Sequence, residues 1–190
     1  MNYKNSRDAA WRILIKNRVS NLPVSVEKIC RGERVRLLSY KKGERLIKKL
    51  RLEDNLAGND AFSIGRVIFY DDKKPIARQR FSIAHELGHI VLHGSLIDGN
   101  ADEREADVFA SRLLAPLCVL HYLNVESARE ISELCGISTP AAQMRFERLC
   151  EIRERDNYMR ERTGHGCFLI SSLERRVYKN FKKYIDKNKD

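Results

Sequence analysis

The stretch Arg80-Phe81-Ser82-Ile83-Ala84-His85-Glu86-Leu87-Gly88-His89-Ile90-Val91-Leu92-His93-Gly94 sets two histidines four residues apart on a background of helical apolar spacing. Phe81, Ala84, Leu87, Val91 and Leu92 recur at that spacing, which predicts a buried helix over 81–93 with Gly94 placed to stop it. Residues i and i+4 leave a helix on one face about one turn apart, so the imidazoles of His85 and His89 are able to share one cation at ~2.0–2.1 Å. Glu86 follows the first histidine directly, which brings a carboxylate beside such a cation without making it a ligand. Imidazole donors with one position left for water favour zinc, and Glu86 is then the candidate general base for peptide hydrolysis.

The third ligand is not expected from the same helix. His93 continues the four-residue series, but eight residues of helix rise ~12 Å, too far along the axis for a cation held between His85 and His89. Gly94 also comes after His93, whereas the metzincin pattern turns the chain at a glycine between its second and third histidines. That leaves His93 a supporting, substrate-facing or helix-terminal role beside the metal ligands. A second helix is expected over 102–114, ended by Pro116, with Ala106, Phe109, Ala110, Leu113 and Leu114 on its apolar face. At ~100° per residue Glu103 falls within that arc and Glu105 at its margin, so Glu103 is the expected third ligand and Glu105 the alternative. Asp107, one turn on, is placed to accept the other ring N–H of a histidine ligand. The same acids also suit the first turn of an ordinary solvated helix, where the helix dipole favours negative charge.

Taken together, the stretch 80–89, Leu92-His93, Glu103-Arg104-Glu105-Ala106-Asp107 with Phe109-Ala110, and Leu113-Leu114-Ala115-Pro116 resemble the ImmA/IrrE family of metallo-endopeptidases. The resemblance implies a zincin-like fold and a zinc site made by His85, His89 and Glu103. It also implies a protein substrate, a helix-turn-helix repressor encoded nearby in a mobile element or a stress-response system. The family often carries Asn where this chain has Asp107, and either side chain offers an acceptor. A second electrophile for the oxyanion is expected, with His93, His121 and Tyr122 as the candidates.

Outward from the motif, Ala9 to Ile15 has helical spacing, and Pro23 ahead of Val24, Val26 and Ile29 suggests a turn into a second short helix. Residues 34–40 and 61–70 are rich in β-branched and aromatic types, with Gly65 as a turn or bulge between two short strands. A small three-stranded sheet is therefore expected ahead of the motif. Residues 96–101, with Asp98-Gly99-Asn100, read as a loop, and further helices are expected at about 127–135, 140–155 and in the basic tail. The expected architecture is α+β and mostly helical, with a zincin-like domain over 1–155 and a basic helical tail over 156–190.

The chain has 190 residues, 43% hydrophobic and 33% charged, enough apolar material for a core without covalent staples. Its five cysteines, Cys30, Cys118, Cys135, Cys150 and Cys167, contain no Cys-x-x-Cys pair, which points to reduced thiols in a cytoplasmic protein. Residues 1–10 lack an apolar signal core and no run approaches the ~18 apolar residues of a membrane span, so no membrane partner is expected.

The net charge of +10 directs attention to anionic partners. Two basic stretches stand out, Arg31–Arg51 and Arg175–Lys189. In the second, Val177, Phe181, Tyr184 and Ile185 sit at helical spacing, which fits a solvated helix face; nucleic acid or an acidic protein is the alternative. Ser127 to Leu149 has a helix-turn-helix look, with Gly136 at the turn and Ser138-Thr139-Pro140 opening the second helix. A DNA-binding regulator reading through Gln143, Arg145 and Arg148 is the rival to the peptidase, although a packed αα-hairpin needs the same glycine.

Overall fold

The computed structural model describes residues 3–94, 100–164 and 171–189. Residues 61–70 form the expected hairpin: β2 (Ala61–Ile64) and β3 (Val67–Tyr70) run antiparallel, with Ala61 opposite Tyr70 and Ile64 opposite Val67. Gly65 turns the chain at φ 57°, a left-handed conformation open to glycine at no steric cost. Strand β1 (Arg36–Ser39) joins β3 in parallel, Arg36 beside Val67, which gives the order β1-β3-β2. The expected three-stranded sheet is thus present, and β2 lies at its edge.

Parallel strands need a crossover, and part of it is a helix that the sequence reading passed over, α3 (Tyr40–Lys49). Tyr40, expected at a strand end, is its first residue. Its core-facing side is inconspicuous because one position is Gly43, where a Cβ would stand 2.8 Å from ring atoms of Phe69. Ser39 caps the helix by accepting the Lys42 N–H at 3.2 Å. Ile47, Phe62 and Phe69 make a buried cluster, with Leu38, Leu46, Leu52 and Val67 around it. The rings of Phe62 and Phe69 stack at 5.0 Å. Burying each such ring contributes ~1.5–3 kcal/mol.

Helix α4 (Ile76–His93) carries the histidine motif. It starts five residues before its apolar pattern because Pro75 sets its entry and the first turn is outward, Ile76 being 75% exposed. Ile83, Ala84, Leu87 and Ile90 are buried, and the helix packs on β2, β3 and α2 (Val26–Gly32). Gly94 ends it at φ 62°, as its position implied. Helix α5 (Asn100–Leu114) begins at Asn100, so the last two residues of the expected 96–101 loop are helical. Residues 95–99 lie outside the described residues. The expected apolar face of α5, from Ala106 to Leu114, is buried.

The chain divides into two compact units, residues 1–10 with 25–111, and 11–24 with 112–190. The first holds the sheet, α2, α3, α4 and most of α5. The second holds the C-terminal part of α1 (Lys4–Lys16), α6 (Leu117–Tyr122), α7 (Ala128–Cys135), α8 (Thr139–Thr163) and α9 (Ser172–Asn188). The boundary expected after residue 155 falls inside α8. Beyond 155 that helix buries Asp156, whose carboxylate is paired with Arg160 one turn on at 2.8 Å.

Helices α7 and α8 pack as a hairpin about Gly136, at φ 61°. The side chains expected to meet DNA are engaged within the unit. Arg145 is buried and donates from Nε and Nη2 to the Ala115 carbonyl at 3.1 and 2.5 Å. Gln143 donates to Glu147 at 3.0 Å, and Arg148 to Glu151 at 2.5 Å. The regulator reading of 127–149 gains no support from this arrangement, and helix packing accounts for the glycine.

Burial pushes the thiols of Cys30 and Cys118 up to about 12, so both are packing groups. Among the described residues no helix is long and apolar enough to cross a membrane.

Candidate metal centre

The site begins with an approach of two helices. A Cβ on Gly88 would lie 3.1 Å from the Ala106 Cα and 3.1 Å from the Phe109 ring, so a hydrogen at that position lets α4 come against the backbone of α5. The approach sets the first turns of α5 opposite the face of α4 that carries His85 and His89.

Their Nε2 atoms are 3.0 Å apart. Glu103 Oε2 stands 3.2 Å from His85 Nε2, and Glu103 Oε1 stands 3.3 Å from His89 Nε2. Three ligands at ~2.0–2.1 Å from a tetrahedral cation are spaced by ~3.3 Å, so the separations fit one small cation. His85, His89 and Glu103 are the group among the described residues that can hold a metal ion. Two imidazole nitrogens facing one another satisfy each other only if one bears a proton, whereas a cation satisfies both and the carboxylate.

Asp107 Oδ1 lies 2.8 Å from His85 Nδ1 and accepts its N–H. That assigns the ring proton to Nδ1 and leaves the Nε2 lone pair facing Glu103 and His89. Burial opposes charging of His85, but the hydrogen bond and charge of Asp107, with Glu86 and Glu103, outweigh it and raise its pKa. His89, 1% exposed, is shifted the other way, by burial and then by the neighbouring His85.

His93 and Glu105 form a separate pair one turn further along, His93 Nε2 3.5 Å from Glu105 Oε2. The ring of His93 is 6.2 Å from that of His89. Geometry therefore brings Glu103, and not Glu105 or His93, to the two histidine nitrogens.

These groups face a cleft of ≈ 580 Å³. Glu86, only 8% exposed, lines it beside His85 and His89, opposite a wall formed by Ala61, Phe62 and Ser63 of β2. Arg78, Phe81 and Ser82 extend it along α4. At its rim Asp60 pairs with Arg78, and with Lys74 at 3.1 Å; the hydrogen bond from Arg78 holds the Asp60 carboxyl below its ordinary range. This wall is not legible in the sequence, because nothing local records which helix an edge strand will lie against. The described lining residues include none of His93, His121 and Tyr122. His121 and Tyr122 belong to the second unit, where their rings meet edge to face at 4.9 Å and Tyr122 lies 4.4 Å from Tyr178.

The model of the peptidase M78 family, described as the IrrE N-terminal-like domain, matches residues 35–147. No curated protein matches the chain. The matched span runs from the sheet through both motif helices and into α8, well over half of the 190 residues. With the paired histidines and their acidic helix inside that span, the chain belongs to the M78 peptidase family, whose name implies peptidase activity.

Proposed function

We propose that the chain is a zinc-dependent endopeptidase in which His85, His89 and Glu103 hold the ion and Glu86 is the general base. The observation that carries this reading is the convergence of the two Nε2 atoms and the Glu103 carboxylate within 3.0–3.3 Å, in the cleft that Glu86 also lines. Two imidazoles and a carboxylate suit zinc and leave a position open for chemistry. Held by these three residues, zinc would supply Lewis acidity and would bring the pKa of water down toward neutral. Glu86 accepts that proton as water attacks the peptide carbonyl, then returns it to the leaving amine. Asp107 keeps the His85 ring in its working orientation and tautomer.

The substrate is a protein segment in extended form. Among the described residues β2 has a strand neighbour on one side only, in the order β1-β3-β2, and Ala61–Ser63 border the cleft. An extended peptide that adds to this edge gains main-chain hydrogen bonds while its scissile carbonyl passes the histidines. A helix-turn-helix repressor as that substrate, cleaved in the cytoplasm, follows from the family resemblance. Co-expression with the repressor encoded nearest its gene, read by intact-mass spectrometry, tests both parts. One defined cut by the wild type and none by Glu86→Gln is expected. An uncut repressor removes the substrate assignment, and cutting by Glu86→Gln removes the general base.

A further inference from the structure

Helix α9 (Ser172–Asn188) separates apolar and charged chemistry onto opposite sides. Val177, Phe181 and Ile185 are buried, and Tyr178 and Tyr184 flank them half-buried. Arg175, Arg176, Lys179, Lys182, Lys183 and Lys187 are all exposed, and at 3.6 residues per turn they share one arc of roughly 140°. Asp186 is the one acid within that arc. Glu174, the other acid of the helix, is engaged at its start, where its carboxylate accepts the Ser171 N–H at 3.2 Å.

Some exposed helix cations elsewhere are tied to acids one turn away, Lys48 to Glu44 at 2.7 Å, Arg129 to Glu133 at 2.9 Å and Arg148 to Glu151 at 2.5 Å, while among the described residues Lys41, Lys42, Arg45 and Lys49 of α3 are not. None of the six α9 cations makes an ion pair with a described residue. Three like-charged pairs, 175 with 179, 179 with 183 and 183 with 187, instead repel at i, i+4 spacing, and Arg175 and Arg176 stand near the positive end of the helix dipole. Such a face is poorly arranged for helix stability and well arranged for a polyanion.

We infer that this face of α9 docks on the phosphate backbone of duplex DNA. From 175 to 187 the helix rises ~18 Å and carries six cations and one acid on this arc, against a duplex that presents one phosphate per ~1.7 Å of its axis over both strands. A face this dense in cations is complementary to the dense, all-anionic phosphate surface of a duplex, whereas an acidic protein surface has its carboxylates interspersed with cations. A lipid surface suits it less, since the apolar side of α9 is buried in its own unit and cannot enter a bilayer. The contact is sequence-independent, because it is made to phosphates. It differs from a helix-turn-helix contact through 127–149 and does not depend on the peptidase reading.

Fluorescence anisotropy with the full chain and a labelled mixed-sequence duplex of ~20 base pairs, between ~50 and ~200 mM salt, tests the inference. Binding should weaken with salt, and Lys179→Gln/Lys182→Gln/Lys183→Gln should flatten the log–log slope by about 2.7, at ~0.9 per lost phosphate contact. Arg175→Gln/Arg176→Gln should flatten it by about 1.8 on the same scale, which keeps the test open if the triple variant folds poorly. The matched change on α3, Lys41→Gln/Lys42→Gln/Lys49→Gln, should leave the slope unaltered. No binding at ~50 mM salt, equal losses from the α3 and α9 triples, or preference for polyglutamate or anionic vesicles over DNA at equal charge overturns it.

Discussion

The Gly88 backbone rests on that of Ala106: a Cβ added to Gly88 would stand 3.1 Å from the Ala106 Cα, and the Phe109 ring is as near. Backbone cannot swing aside as a flexible side chain does, so this contact sets how closely α4 and α5 approach. Glu103 lies three residues before Ala106 on α5, and its reach to His85 and His89 depends on that approach.

Gly88→Ala should therefore act on both stability and metal. Overpacking of this kind costs about 1–3 kcal/mol, readable in urea unfolding. Zinc affinity should fall as well, because Glu103 is carried outward with α5. A variant with wild-type stability and affinity would show that the two backbones are not in limiting contact.

Asp107 acts through His85. Asp107→Ala should weaken zinc binding by ~10–100-fold in chelator competition, the usual effect of losing a hydrogen-bonded partner of a ligand. Asp107→Asn keeps an acceptor at Oδ1 and should lose less. Equal losses from both would assign the effect to charge alone.

The acid side of the stability profile has an identifiable contributor in His121. Burial, and then the charge of Arg153, push its pKa down from 6.5 to about 4. With the folded pKa the lower, the unfolded chain takes up the proton first as pH falls. The stabilisation is present above 6.5 and is lost as pH falls from there through about 4. His121→Gln should flatten that part of a urea-unfolding series. An unchanged slope would place the titration elsewhere.

The centre was more legible in sequence than the fold around it. His85 and His89 follow from i, i+4 spacing, and Glu103 from the angular position that the apolar residues of α5 define; both are properties of single helices. Helix α3 lacks a clear apolar period because one core-facing position is Gly43, against which the ring of Phe69 packs. The six residues of α6, between Pro116 and Leu123, are too few to show a period. Past 155 the buried position of α8 is Asp156, paired with Arg160, so apolar spacing does not mark that part of the helix. The cleft was the least legible part, since Ala61–Ser63 and Glu86 line it together only through the tertiary placement of an edge strand.

Zinc content of purified protein, by native mass spectrometry, tests the centre most directly. Wild type and Glu86→Gln should each hold one zinc per chain, while Glu103→Ala should lose most of it under the same conditions. Glu103→Ala protein as fully loaded as the wild type would contradict the His85, His89 and Glu103 site.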